Sequence, residues 1–530
     1  MKKLRKVLAI AMSLMMVLAI ATGCSSSNSG DSEEKVVTVA IGQENGISTM
    51  DATYAMTDIT HYELIYEPLV VYGENGKLEP GLAESWDISE DGLEYTFHLR
   101  EGVKFSDGTD FNADNVIFYT NRWKDNSNTA STTVATAIQK VEKIDEYTVK
   151  ITFDKQYYPY LTELSYPRPC RMMAQSALDE NGKFKEPIGT GMWKVESFEE
   201  GKETVLVPNE HYWGEKPKID KLIIKVIPDA EARMMALQNG EIDMDLNALS
   251  AENQEIVAKE DSLDIFSRDG VLGIHLLFNY DNEILGEDKS VRQAINYAID
   301  NNTIVETILK GNGIAAKGLI QNTAPYVTEE NSLGYDCDMD KAKELLKEAG
   351  YTDSDNDGIV EKDGKPLNFK FVLQTDEYPD WKAVSEYIQS QLKQVGIGVE
   401  LNVQDCTSYY DAIWTSRDYD ISIYRTYADS WAPHGFLLGM YCKASEDSVR
   451  VAWDSDELDE MIQETLQTVD EAERQEDYDE IFEYLYEEAV NAPLYYTKDK
   501  YAYNKDRITG IENAPTAYEL IKWNKIDIIK

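Results

Sequence analysis

Few side chains in this 530-residue chain are equipped to make or break bonds. It has five histidines, His61, His98, His211, His275 and His434, so general acid–base work has few of its usual carriers. The chain contains no Gly-x-Ser-x-Gly elbow, no His-Glu-x-x-His, no phosphate-cradling P-loop and no dinucleotide glycine fingerprint. Glu487-Glu488 stands in a charge-rich helical stretch and reads as a solvated face. The cysteines Cys170, Cys337, Cys406 and Cys442 are far apart and form no C-x-x-C, which excludes a disulfide framework while leaving one bridge open. One cation-type spacing is present, Asp353-Ser354-Asp355-Asn356-Asp357-Gly358, the first half of an EF-hand loop. Its twelfth position, where a bidentate Glu belongs, is Gly364. Two readings stay open there, a partial Ca²⁺ site on Asp353, Asp355 and Asp357, or a polar turn that uses the same Asp and Gly backbone preferences. Such an inventory suits binding better than catalysis, and we expect no enzyme.

Whatever is bound must be held by mixed α and β elements. Leu93 to Leu99 and Thr148 to Phe153 alternate like strands, and Glu231 to Gln238, stopped by Asn239-Gly240, reads as a helix. Val291, Ala294, Ile295, Ala298 and Ile299 share one helical face, and Lys341 to Ala349 repeats the pattern before Gly350. Tyrosine is plentiful, 33 residues, and suits pockets needing a rigid apolar face with a hydrogen-bonding tip.

The N-terminus carries an address. Lys2, Lys3, Arg5 and Lys6 precede an apolar run, Val7 to Ala21, too short to span a bilayer comfortably. Ala21-Thr22-Gly23-Cys24 then reads as a lipoprotein cleavage site, with acyl chains on Cys24. Residues 1–23 are therefore expected to be a signal peptide and 24–34, rich in Ser, Gly and Glu, a lipid-anchored flexible tether. The body would work outside the cytoplasm, anchored to the cell membrane. The formal charge of −46 argues against nucleic acid as a partner. A chain this long exceeds a single core, so two or three domains are expected.

Several blocks then appear in register: Gly81 to Trp86 (GLAESW), Asp91 to Arg100, Gly102 to Gly108, Ile188-Gly189-Thr190-Gly191, Asn209 to Pro217 (NEHYWGEKP) and Val291 to Asp300 (VRQAINYAID). Together they strongly resemble the bacterial extracellular solute-binding proteins of the oligopeptide, dipeptide and nickel class. The resemblance implies an α/β, bilobed, periplasmic-binding-protein-like fold (class II, large type) that closes on a ligand and delivers it to ABC permease and ATPase subunits. By similarity, lobe I is about 35–277 plus 496–530, with an extra subdomain of about 75–187, and lobe II is 278–495. A monomer is expected.

Within the class, Pro167-Arg168-Pro169 looks most like the nickel-binding members, whose arginine at this place meets the carboxylate of a metal chelate. The segment Arg425 to Phe436 matches as well, with Tyr427 and Trp431 at aromatic positions that pack on the chelate. Tyr54 matches a further pocket tyrosine, and Tyr518 sits where another pocket residue lies. The resemblance departs in three ways, the first being that an Arg and a Trp expected around Asn128 to Val134 are absent. The loop Tyr441 to Arg450 lacks the histidine that ligates nickel directly, leaving His434 and Cys442 as candidate metal ligands. Asp429 stands where oligopeptide binders pair an aspartate with the peptide's amino group. The leading expectation is capture of a Ni(II) chelate, and the alternative is oligopeptide or dipeptide import.

Overall fold

The computed structural model describes residues 34–42, 50–53, 59–73, 76–124, 133–167, 170–426, 432–445, 448–514 and 519–529. Among these, no helix is long and apolar enough to cross a membrane. Residues 36–530 form one compact unit built around an 11-stranded sheet.

Two long strands organise that sheet. Leu263–Phe278 runs antiparallel to Asn491–Asn504, and the two halves of this pair have different neighbours. At one end Tyr503 pairs with Met244, and Met244–Asp245 lies parallel to Val36–Ile41, which lies parallel to Lys221–Val226. At the other end Ile274 to Phe278 pairs antiparallel with Ile421–Arg425, which is flanked in parallel by Asn368–Gln374 and then Gly398–Gln404. Between them the register slips at Asp269–Gly273.

These directions locate a cleft. In the first half the parallel strands run the same way as Leu263–Phe278, and in the second half they run the opposite way. Both sets of carboxyl ends therefore point at the middle of the long pair. Open α/β sheets take ligands outside the carboxyl ends of their strands, so the two halves offer facing ligand edges.

A separate four-stranded antiparallel sheet packs on the first half, formed by Ala83–Ile88, Glu94–Leu99, Thr148–Phe153 and Ile138–Asp145. Its strands alternate as the sequence predicts: Tyr95, Phe97 and Leu99 turn inward with Val149, Ile151 and Phe153. The predicted helices form within a residue or two of their expected ends, as Ala230–Gln238, Lys289–Ala298 and Met339–Glu348. Asp229, Asp288 and Asp338 cap their first turns, and Gly240 and Gly350 follow their ends at φ of 72° and 92°, a conformation that suits glycine.

The conserved-looking blocks of the sequence turn out to be joints. Gly189 and Gly191 lie against the backbone of Ile65, at the end of helix Ile59–Ile65, and Gly191 N–H donates to Ile65 O at 2.9 Å. Asn209 Nδ2 donates to Gly191 O at 2.9 Å, tying the NEHYWGEKP block to the same joint. Arg292 is buried and donates to the carbonyls of Leu285 and Glu488. Asn296 in turn donates to Asn491 O at 3.2 Å, so the VRQAINYAID helix is stitched to the long strand.

The acidic loop is resolved in favour of the polar turn. Asp353 Oδ2 accepts from Gly358 N–H and Asp355 Oδ1 from Asp357 N–H, both at 3.1 Å, while Asp357 Oδ1 accepts from Ile359 N–H. The carboxylate within reach of Asp353 and Asp355 is that of Glu361, not Asp357, and Glu361 already accepts from Ser354 N–H. The expected Asp353, Asp355 and Asp357 set is not assembled: one oxygen of each accepts a turn amide, and the carboxylates that converge are those of Asp353, Asp355 and Glu361. The four cysteines Cys170, Cys337, Cys406 and Cys442 are thiols, and no bridge forms among them.

Candidate ligand site between the two halves

The first half contributes a cavity of about 170 Å³ lined by Thr60, Glu63, Leu246, Arg268, Tyr501, Glu519, Leu520 and Trp523. It sits on the long strands just before their register slip, where the carboxyl ends converge. Its lining is unusually polar for so sheltered a place. Arg268 is buried and paired with Asp499 at 3.6 Å, and Glu63 is buried against Arg171, which also donates to Tyr66 O at 2.9 Å. Burial raises the Glu519 carboxyl to about 8, with Glu63 adding to the rise. Next to this cavity Glu67 is raised to about 7 by burial, against a hydrogen bond from Trp213 at 2.9 Å. The cavity thus sets an arginine beside carboxyls that burial biases toward their protonated form.

The second half presents Arg425 at the carboxyl end of its strand, beside Ile274. Thr426 locks this end in place, since its N–H donates to Gly273 O and its hydroxyl accepts from Gly273 N–H, both at 2.9 Å. Burial works against the Arg425 charge, but Tyr378, Tyr410, Tyr424 and Glu377 around it reverse the balance and keep it a cation. Tyr410 O–H donates to Glu377 at 2.7 Å, and Trp414 Nε1–H to Tyr424 at 3.2 Å. Arg425 Nε is buried and finds no acceptor among the described residues. A buried guanidinium N–H without an acceptor is costly, which makes this an edge suited to an anionic group.

The two candidate metal ligands are placed apart. His434 opens helix His434–Tyr441 and Cys442 closes it, so roughly 12 Å of helix separates them. His434 is 1% exposed, with its pKa lowered to about 3 by burial, and its Nε2 shares a hydrogen bond with Tyr166 at 3.3 Å. Cys442 is buried, with its thiol pushed well up by burial and by its hydrogen bond to Asp459, the reverse of a metal-ready thiolate. The structure brings neither together with a second ligand of the expected set.

Arg168, Tyr427, Asp429, Trp431, Tyr54, Tyr518 and Cys24 lie outside the described residues. Glu63, Arg268 and Glu519 were not picked out by the sequence reading, because acids and arginines are common in this acidic chain. Arg171 faces Glu63, as befits a structural residue.

Comparisons with known proteins agree with this geometry. Residues 77–448 match the bacterial extracellular solute-binding proteins, family 5 Middle. The nickel-binding periplasmic protein of Escherichia coli K12 is 32% identical over 486 residues, 88% of this chain and 90% of that one. The oligopeptide-binding protein AppA of Bacillus subtilis is 28% identical over 557 residues, 98% of this chain and 99% of its own. Among solved structures, NikA from Brucella suis in complex with Fe(III)-EDTA superposes with a TM-score of 0.83 at 30% identity, covering 93% of this chain and all of that one.

Proposed function

The chain belongs to the family 5 bacterial extracellular solute-binding proteins, bilobed receptors of ABC importers and not enzymes, and from that membership we propose that its cargo is a divalent metal, nickel, held by a small carboxylate-bearing chelator. The observation that carries this reading is Arg425, a half-buried arginine at a ligand edge whose Nη1 donates to Thr426 O at 3.3 Å while its buried Nε has no acceptor among the described residues. A chelate's carboxylate answers that donor. The sequence adds Arg168 as a second carboxylate anchor, with Tyr427, Trp431 and Tyr54 packing on the complex, Asp429 meeting an amine and Tyr518 at a further pocket position. Nickel is the cargo, held mainly through its chelator's contacts and not by a set of protein ligands.

Capture would proceed by hinge closure. We take one lobe as about 35–277 plus 496–530 and the other as 278–495, with the chain crossings near Phe278-Asn279 and Pro493-Leu494-Tyr495; the long strands change neighbours just inside these, at Asp269–Gly273 and the facing residues 496–498, which supports bending in that stretch. A subdomain of about 75–187 rides on the first lobe. Acylation at Cys24 would hold the receptor beside its permease through the 24–34 tether, as a monomer.

Peptide import is the second reading. Asp429 favours it, and the polar cavity with Glu63, Arg268 and Glu519 offers hydrogen-bonding groups to a peptide. Native mass spectrometry of residues 24–530, with metal analysis on the same sample, separates the two. One equivalent of nickel with a small organic mass supports the chelate; a ladder of retained peptides without stoichiometric metal overturns it.

A further inference from the structure

Across the junction of the two halves lies a group of aromatic residues that the ligand reading does not use. Tyr158 belongs to the turn after strand Thr148–Phe153, on the first half. Its hydroxyl shares a hydrogen bond with that of Tyr478 at 2.7 Å, 320 residues further on, in helix Glu471–Glu487 of the second half. Its ring lies under the guanidinium of Arg474, 4.0 Å from the ring centre, and meets Tyr326 edge-on at 5.8 Å. Its N–H donates to Leu466 O at 2.9 Å. Its ring also meets His434 edge-on at 6.2 Å, so one side chain and its amide make five contacts with the other half.

The receiving surface is prebuilt. Tyr326 stacks on Tyr478 with ring centres 4.7 Å apart and planes 10° from parallel, and Arg474 Nε–H donates to the Tyr326 hydroxyl at 3.1 Å. Tyr326 is held at φ 65°, a left-handed conformation that side chains larger than glycine resist. Two donors to its carbonyl keep it there, Asn331 Nδ2 at 2.8 Å and Gln475 Nε2 at 3.0 Å. Arg474 is also fixed by donating to Thr468 O at 3.1 Å. Every one of these supports lies within the second half, so the slot exists whether or not Tyr158 enters it. Backbone strain kept at a surface contact signals a conformation selected for a purpose.

We propose that Tyr158 is the tongue of a closure clasp, and that Tyr326, Arg474 and Tyr478 are its slot, so that the two lobes hold each other shut independently of the cargo. Tyr158 is then a positioning residue. It acts on ligand retention by biasing the lobes toward the closed form, without touching the ligand. The inference rests on the hinge reading above, and deepens it by naming what sets the resting balance. A receptor with such a clasp populates closed forms before capture, and releases cargo only when the clasp opens.

The test uses residues 24–530 with no ligand added, so cargo identity does not enter. Distance labels on unnatural amino acids replace the exposed Glu101 and Glu386, one in each half, and the open-to-closed ratio is read by pulsed electron spin resonance. Tyr158→Phe keeps the ring contacts and loses one hydrogen bond, so the ratio should rise about fivefold. Tyr158→Ala should raise it more than tenfold, with the melting temperature of either variant close to wild type, since the slot is supported from its own side. Superimposable distributions in wild type and Tyr158→Ala, with both still exchanging between two distances, would overturn the clasp and leave the hinge standing. A single fixed distance in all three proteins would overturn both.

Discussion

The Nε2 atom of His434 lies 3.3 Å from the hydroxyl of Tyr166, a residue 268 positions earlier in the chain. Tyr157 and Tyr158 meet the same imidazole edge-on, with ring centres 6.3 and 6.2 Å away. A histidine so enclosed stays neutral at physiological pH and packs the junction of the two halves. Its ring neighbours among the described residues are aromatic. The contact joins the start of helix His434–Tyr441 to Tyr166.

Two arginines three residues apart should behave oppositely. Arg171 is paired with Glu63 in a buried contact, both side chains under 10% exposed, so Arg171→Ala should cost about 3–5 kcal/mol by stranding the Glu63 carboxylate. Arg168→Ala should leave the unliganded melting point nearly unchanged and abolish most of the shift produced by Ni²⁺ plus L-histidine. That shift corresponds to about 2.7 kcal/mol when ligand is at 100 times its Kd. Thermal melts with and without the probe check both; an equal fall for Arg168→Ala in the two conditions would make it structural.

Gly189 should tolerate no side chain. A Cβ there would stand 2.0 Å from Ile65 O and 2.6 Å from the Tyr66 ring, and the carbonyl belongs to backbone that cannot step aside. Gly189→Ala is expected to destabilise by roughly 2–4 kcal/mol, as overpacking of a rigid joint does. Gly182→Ala is the control for strain without collision, since nothing lies within 4 Å of its Cβ site although φ is 75°. Chemical denaturation should rank Gly189→Ala well below it.

The pH profile of stability should have two opposed limbs. His275 is fully buried and its pKa is lowered to about 3 by burial, while the unfolded chain titrates near 6.5. Below pH 6.5 the unfolded state therefore binds the extra proton, and stability falls as pH falls, by roughly 2 kcal/mol at pH 5. Glu163 runs the other way. Burial raises it to about 7 from 4.5, outweighing its hydrogen bonds from Tyr157 and Val134 N–H, so the native state holds the extra proton. Stability is then lost as pH rises from 4.5 to 7, on the order of 3 kcal/mol, and is flat above. His275→Asn should flatten the acid limb and Glu163→Gln the limb approaching neutrality. Melting curves for the variants that merely run parallel to wild type between pH 4.5 and 7.5 would refute the assignment.

Thiol chemistry offers a check on the metal assignment. Cys337 is exposed, whereas Cys170 and Cys442 are buried with their thiols pushed up by burial. Brief alkylation of the folded protein should mark Cys337 first and leave Cys170 and Cys442 unmodified until denaturant is added. Cys442→Ala should retain nickel–histidine binding with unchanged stoichiometry. Loss of metal in that variant would restore the thiol as a ligand.

Much of the fold was legible from local pattern. Strand alternation in Thr148 to Phe153, the helical face of Val291 to Ile299 and the stop at Gly350 each depend on neighbours a few residues away, and so survive reading one residue at a time. The in-register blocks were legible as a family likeness too, although their physical meaning was not. That Gly189 is a joint follows only from the Ile65 carbonyl lying against it.

The tertiary structure alone decided which charges matter. Nothing near Glu63, Arg268 or Glu519 in sequence distinguishes them from the 97 acids and 51 bases of the chain; closure of the long strand pair collects them into one cavity. Asp357 shows the reverse, a residue whose spacing suggested an ion but whose carboxylate accepts from Ile359 N–H and does not join Asp353 and Asp355. The clasp is the clearest case, since Tyr158 and Tyr478 meet across 320 residues. Local sequence determines propensity, because backbone conformation answers to near neighbours. Partnership between distant polar groups is determined by the packing that removes water from between them, and that is a property of the whole chain.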